Sequence, residues 1–212
     1  MTILEFTSLN TNHCVLNESH IDLWQFSLVK EPENAYNLLA PDEQARRDRF
    51  YFPKHRRRFC TARAVSRIIL SRYLKTTPES LNFIYNAHGK PEVVNSQKLH
   101  FNISHSKDLA LLAVGKGFPM GVDIEYFSSR PYEGIAQNLF SEKEIEALEK
   151  APVLLRPAVF FHIWAQKEAF IKASGLGLSY PTQEFSVPTT IPSKQLISDF
   201  LHQTTWQVRT FM

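Results

Sequence analysis

The chain has 212 residues, 43% of them hydrophobic and 12% aromatic, which is enough for a sizeable core and too apolar for a disordered tail. The longest apolar run, residues 109–114, falls far short of the ~20 residues of a membrane span, and the first six residues lack the basic and apolar segments of a signal peptide, so a cytoplasmic protein is expected. The net charge of +3 is unevenly placed: residues 42–72 hold ten Lys or Arg against Asp42, Glu43 and Asp48, a local surplus of seven that suggests either an anionic partner or a solvated helix face.

Residues 3–9 and 21–29 read as short strands, the second because residues 21–28 alternate with period two. A short helix is expected over 34–39. Pro41, followed by Asp42 and Glu43, suits the start of a helix running to about 50. Pro53 interrupts it. A second helix over about 54–74 should bury Phe59, Ala62, Val65, Ile68, Ile69 and Tyr73 and turn its arginines elsewhere. Strands are expected at 81–85, 99–104, 109–114 and 120–126, with a Gly-Pro turn at 86–91. Residues 128–132 read as a linker. Ser141 and Glu144 form a capping box that opens a helix. Residues 160–172 follow as one amphipathic helix with Gly175 as its stop, then strands at 185–187 and 205–211. Helix, long helix, strand recurs at an offset of about one hundred residues, which predicts two similar α+β halves.

Several side chains suit chemistry. Asp123 and Glu125 stand two apart on the expected strand, so both would point to one face and could clamp a hard divalent cation such as Mg²⁺; the alternative is two solvated acids on an edge. Apolar neighbours on either side make idle acids costly. Glu168 and Lys172 share a helix face one turn apart, as many surface pairs also do. His105 ends a strand and suits a phosphate or acid–base role, or a structural one. Lys90 is a loop cation. Gly175-Leu176-Gly177 lacks the context of a nucleotide fingerprint. Cys14 and Cys60 lack metal-site spacing and read as free thiols.

Phe101-Asn102-Ile103-Ser104-His105-Ser106, Gly121-Val122-Asp123-Ile124-Glu125 and Trp164-Ala165-Gln166-Lys167-Glu168-Ala169-Phe170-Ile171-Lys172 together resemble the three signature motifs of 4′-phosphopantetheinyl transferases, of the long surfactin-synthetase-activating type. Gly89-Lys90-Pro91 is similar to a further motif, and the likeness runs from about residue 40 to about 187.

The resemblance implies an α+β fold of two halves related by a pseudo-twofold, with the active site between them. Residues 1–112 would bind the coenzyme A nucleotide through basic helices, and 113–212 would carry the metal-binding acids. The family moves phosphopantetheine from coenzyme A to a serine of a carrier protein and leaves adenosine 3′,5′-bisphosphate. By position, Asp123, Glu125 and Glu168 would hold Mg²⁺ and Glu168 would take the serine proton. Lys172 and His105 would contact phosphates, while Arg46, Arg58, Lys90, Pro91, Asn102 and Ser104 would bind the nucleotide end and its 3′-phosphate. The implied partners are coenzyme A and an acidic apo carrier protein, with neither nucleic acid nor membrane, and the implied state is a monomer. A metal-dependent nuclease and a non-catalytic nucleic-acid-binding protein are the rival readings of the same acids and basic window.

Two departures from the family pattern stand out. Glu43 sits where relatives often carry a lysine near the 3′-phosphate. Relatives also continue past the position of Met212 into a Pro-Gly turn and a final strand, so the expectation is either a truncated coding sequence or a second sheet that lacks one strand and exposes an edge.

Overall fold

The computed structural model describes residues 2–5, 14–15, 18, 20–95, 97–128, 131–190 and 194–210. The expected strand residues 6–9 and 211 therefore lie outside the described residues. The chain mixes helix and sheet and divides into two compact units, Met1–Met120 and Gly121–Met212. The boundary expected after residue 112 falls inside a strand.

The N-terminal unit contains strands β1 (Thr2–Glu5) and β2 (Ile21–Ser27), helices α1 (Pro41–Asp48) and α2 (Pro53–Leu74), and strands β3 (Phe83–Tyr85), β4 (Pro91–Val93), β5 (Leu99–Ser106) and β6 (Leu109–Lys116). Four strands form one sheet in the order β1-β2-β6-β5, while β3 and β4 form a separate hairpin. β1 runs parallel to β2 and the other pairs are antiparallel, with Trp24 opposite Leu112 and His105 opposite Ala110. The period-two pattern of β2 sends Trp24, Phe26 and Leu28 into a core with Phe101, Leu112 and Val114, against Ala62, Val65, Ile69, Leu70 and Tyr73 of α2. Leu23, Leu111, Ala113, Asn102 and Ser104, at the alternate positions of these strands, are buried too.

Both helices begin on proline, whose missing N–H costs nothing at a first turn. α2 ends at Lys75, in left-handed conformation at φ 52°. Its arginines do not all turn outward as expected. Arg67 is buried, because Glu43 is buried opposite it at 2.7 Å and the carbonyls of Pro78 and Leu81 accept from its Nη1 at 2.9 and 3.0 Å. A buried guanidinium survives only with its charge and donors answered in this way.

The C-terminal unit contains helices α3 (Glu133–Leu139), α4 (Glu142–Lys150) and α5 (Arg156–Ser174) and the hairpin of β7 (Lys194–Asp199) and β8 (Thr204–Arg209). Its core is aromatic: Phe140, Phe160, Phe161, Phe170, Tyr180 and Phe185 cluster with Ile163 and Ile171. The ring centroids of Phe170 and Phe185 are 4.3 Å apart. The capping box at Ser141 forms as expected, with Ser141 N donating to Glu144 Oε2 at 2.7 Å. α5 differs from the amphipathic expectation. Phe160, Ile163, Gln166, Lys167, Phe170, Ile171 and Ala173 are all buried, so burial runs around most of the helix rather than along one stripe.

Two expected strands are absent among the described residues. Residues 120–126 join no ladder. Residues 185–187 join none either, because the N–H of Val187 is answered by the Glu144 carboxylate at 2.7 Å instead of a neighbouring strand. Helix α3 and strands β4 and β7 were not expected from the sequence. Cys14 and Cys60 are both free thiols, as read from their spacing, and burial pushes Cys60 up to about 11. No helix among the described residues is long and apolar enough to cross a membrane.

Candidate active site

Asp123 and Glu125 of the C-terminal unit each bond a side chain of α5. Trp164, Glu168 and Lys172 recur every fourth residue, so they form one half-buried stripe on that helix. Segment 121–125 faces this stripe. Gly121 makes the approach possible: a Cβ there would stand 1.9 Å from the carbonyl oxygen of Ala169 and 2.6 Å from the nitrogen of Ala173. No other residue type fits backbone against backbone at that distance.

From this contact, Asp123 reaches Lys172, whose Nζ donates to its Oδ1 at 2.6 Å, and Glu125 accepts from the indole N–H of Trp164 at 2.9 Å. Both carboxylates turn toward one helix. The common face that the sequence argument derived from strand alternation arises here from packing on α5.

Glu168 stands between these partners in charge. Burial is the main cause that raises its pKa above the usual carboxylate range; Lys172 pulls it down, and Asp123 and Glu125 push it up again. Glu168 thus senses both other carboxylates, and carboxylate oxygens are the donors a hard divalent cation takes. As placed, no three such side chains among the described residues are gathered into one chelating group. Lys172 and Trp164 hold two of the three acids instead.

The N-terminal unit carries the remaining expected residues. His105 is exposed near the end of β5, and Asn102 and Ser104 are buried on the same strand. Lys90 lies in the β3–β4 turn. Gly89 allows that turn with φ 80°, and Asn86 Oδ1 accepts from the backbone N–H of both His88 and Lys90 at 2.9 Å. Lys90 Nζ donates to the carbonyl of Met120 at 3.3 Å, and burial holds its pKa below the ordinary lysine range. Pro91 opens β4 opposite Tyr85. Arg58 pairs with Asp108 at 2.8 Å in the turn that joins β5 to β6. Arg46 is exposed on α1, with its guanidinium 5.4 Å from the centre of the Phe59 ring.

Sequence reasoning passed over four residues that shape these sites. Gly121 lies inside a quoted motif without a role, and Trp164 counts there only as apolar helix surface; its spacing four residues before Glu168 is the signal. Lys167 is buried against Glu144 at 2.9 Å and braces the following loop. Arg63 looked like one more cation of the basic window.

Comparison with known proteins agrees with these motifs. Residues 119–212 match the family described as the 4′-phosphopantetheinyl transferase superfamily, and residues 23–116 match the one described as 4′-phosphopantetheinyl transferase, N-terminal. The chain is 36% identical over 187 residues to the 4′-phosphopantetheinyl transferase HetI of Nostoc sp., a match that covers 84% of this chain and 79% of that one. It is 32% identical over 158 residues to the 4′-phosphopantetheinyl transferase Sfp of Bacillus subtilis, covering 74% and 70%. With psf-1 of Bacillus pumilus, also a 4′-phosphopantetheinyl transferase, identity is 34% over 158 residues, covering 74% and 66%. Matched along both units and by relatives over most of its length, the chain belongs to the 4′-phosphopantetheinyl transferase superfamily.

Proposed function

We propose that this protein transfers the 4′-phosphopantetheine group of coenzyme A to a serine hydroxyl of an acidic apo carrier protein. The serine oxygen attacks the β-phosphorus of coenzyme A, the bond to adenosine 3′,5′-bisphosphate breaks, and the serine proton passes to Glu168. The observation that carries this reading is the stripe of Trp164, Glu168 and Lys172 on α5 facing Asp123 and Glu125. Phosphoryl transfer asks mainly for positioning and charge neutralisation, which acids, cations and one base supply.

Asp123, Glu125 and Glu168 would hold Mg²⁺, which neutralises pyrophosphate charge when bound. A glutamate whose pKa is raised by burial is a better proton acceptor than an exposed one. Lys172 and His105 contact phosphates. Arg46, Lys90, Pro91, Asn102 and Ser104 take the nucleotide end. Arg58, engaged by Asp108, helps at one remove by fixing the turn beside His105. The positive surplus over residues 42–72 favours an acidic carrier surface. The protein acts in the cytoplasm as a monomer.

The test is incubation with coenzyme A, Mg²⁺ and a panel of apo carrier proteins, read by intact mass. The wild type should add one phosphopantetheine to at least one carrier. Glu168→Gln keeps size but loses the charge needed to accept a proton, and near-complete loss of transfer is expected, with coenzyme A still bound by calorimetry. Transfer within about tenfold of wild type at saturating Mg²⁺ would remove Glu168 from the mechanism.

A further inference from the structure

The sequence reading left the nucleotide end one cation short, because Glu43 stands where a lysine was expected. The structure gives Glu43 another occupation. It is buried, its Oε2 accepts from Ala40 N at 3.0 Å, and its short ionic contact of 2.7 Å goes to Arg67. Its other oxygen is 3.5 Å from Nε of Arg63.

Arg63 is held from several sides. It lies one turn after Phe59 on α2, with its guanidinium carbon 5.7 Å from the centre of that ring. Arg46 approaches the same ring from α1, at 5.4 Å. Arg63 Nη2 also donates to the hydroxyl of Tyr85 at 3.0 Å and lies 5.7 Å from the Tyr85 ring. Burial raises the Tyr85 phenol pKa; the charges of Arg63 and Arg46 pull it down, and those of Glu43 and Asp42 push it up. Tyr85 is opposite Pro91 in the β3–β4 hairpin, so the turn that carries Lys90 starts beside it. Two guanidinium groups from two helices thus share one aromatic ring, next to the hairpin end that carries a third cation. One carboxylate serves Arg63 and Arg67 together, and Arg67 has the closer contact. The excess is a positive spot made by fixed, planar donors, which is the chemistry that recognises a dianionic phosphate.

We propose that Arg63 is a specificity-determining residue of the coenzyme A site: with Arg46 it binds the 3′-phosphate, and Phe59 and Tyr85 hold it for that task. The assignment rests on the transferase reading above. It supplies the cation that Glu43 does not, and it makes Tyr85 a positioning residue that acts through Arg63.

Calorimetry with coenzyme A and with dephospho-coenzyme A tests this on the full chain. Wild type should prefer coenzyme A. Arg63→Gln should weaken coenzyme A binding roughly tenfold to a hundredfold, the range for one charge-assisted contact, and leave dephospho-coenzyme A binding unchanged. Arg63→Lys should recover part of the preference. Tyr85→Phe removes one hydroxyl from a half-exposed ring, so it keeps the fold and should lower the same preference by a smaller factor. If Arg63→Gln weakens both ligands alike, or neither, or if it unfolds and Tyr85→Phe leaves the preference intact, the assignment is overturned. A wild type that binds neither ligand overturns the transferase reading and this assignment with it. A wild type that binds both ligands equally overturns the 3′-phosphate site alone.

Discussion

Among the described residues each unit has an ion pair with both side chains buried, and the two are built alike. In the N-terminal unit Glu43, the third residue of α1, accepts from Ala40 N and pairs with Arg67 of the long helix α2, whose guanidinium holds the carbonyls of Pro78 and Leu81. In the C-terminal unit Glu144, the third residue of α4, accepts from Ser141 N and pairs with Lys167 of the long helix α5, whose ammonium holds the carbonyls of Thr182 and Phe185. Corresponding members of the two pairs stand about a hundred residues apart.

The difference lies in what is left over. The Lys167 ammonium spends its three donors on Glu144, Thr182 and Phe185, and Glu144 Oε1 also takes the N–H of Val187. That pair is closed. Glu43 Oε1 makes no hydrogen bond among the described residues and stands 3.5 Å from Arg63. That pair is open toward a further cation. A closed pair braces a loop, whereas an open one can brace a loop and also steady a binding residue.

The largest effect should separate the two pairs. Lys167→Met strands a buried carboxylate and is expected to cost about 3–5 kcal/mol in urea unfolding. Arg67→Met should cost less, because Arg63 is close enough to answer Glu43. Equal losses would break the distinction between closed and open. The double change Glu144→Gln with Lys167→Met should recover much of the loss, since no charge is then stranded.

A glycine in each unit gives a smaller contrast. Gly121→Ala drives a Cβ into the backbone of Ala169, at 1.9 Å, and should cost about 1–3 kcal/mol together with most of the transfer activity, because segment 121–125 must move off α5. Gly115→Ala meets first the tip of the Met120 side chain, at 2.5 Å, which can swing aside. It should cost less stability and leave transfer near wild type. Comparable losses in stability and carrier modification would show that backbone crowding at Gly121 is not special.

The smallest effect is on pH dependence. Burial holds the pKa of His162 in α5 and His100 in β5 below the ordinary histidine range. The unfolded chain therefore takes up the proton first on acidification. Stability is complete above the ordinary histidine pKa and is lost as pH falls from there through the folded value. His162, at 9% exposure, is the deeper of the two. His162→Gln should flatten the fall in melting temperature between about pH 7 and pH 5 more than His100→Gln does. The opposite order would assign the acid sensitivity to the N-terminal unit.

Local signals made much of this legible. Proline starts, the capping box at Ser141 and the alternation of β2 act within a few residues, and the helices and strands they announce are present. The motifs that named the family hold Asp123, Glu125, Glu168 and Lys172 in one unit, where Asp123 bonds Lys172 and Glu125 bonds Trp164. What was missed depends on contacts distant in sequence. Residues 185–187 look like a strand, with Phe185 and Val187 flanking Ser186, but the N–H of Val187 is answered by Glu144 of α4. The 120–126 stretch alternates like a strand, yet Gly121 fits it against α5. Arg67 reads as one more solvated cation until Glu43 is found buried opposite it. In each case a contact far along the chain overrides local pattern.

The bond from Trp164 to Glu125 has one further consequence. The chain has three tryptophans, and each donates its indole N–H to a different neighbour: Trp24 to the Tyr73 hydroxyl, Trp164 to Glu125 and Trp206 to Asp199. Indole emission responds to the charge beside its ring. Trp24 and Trp206 answer to partners outside the acid cluster, so they supply a steady background. Trp164 answers to a carboxylate of that cluster, which gives the protein a native optical reporter at the place where the chemistry is proposed to occur.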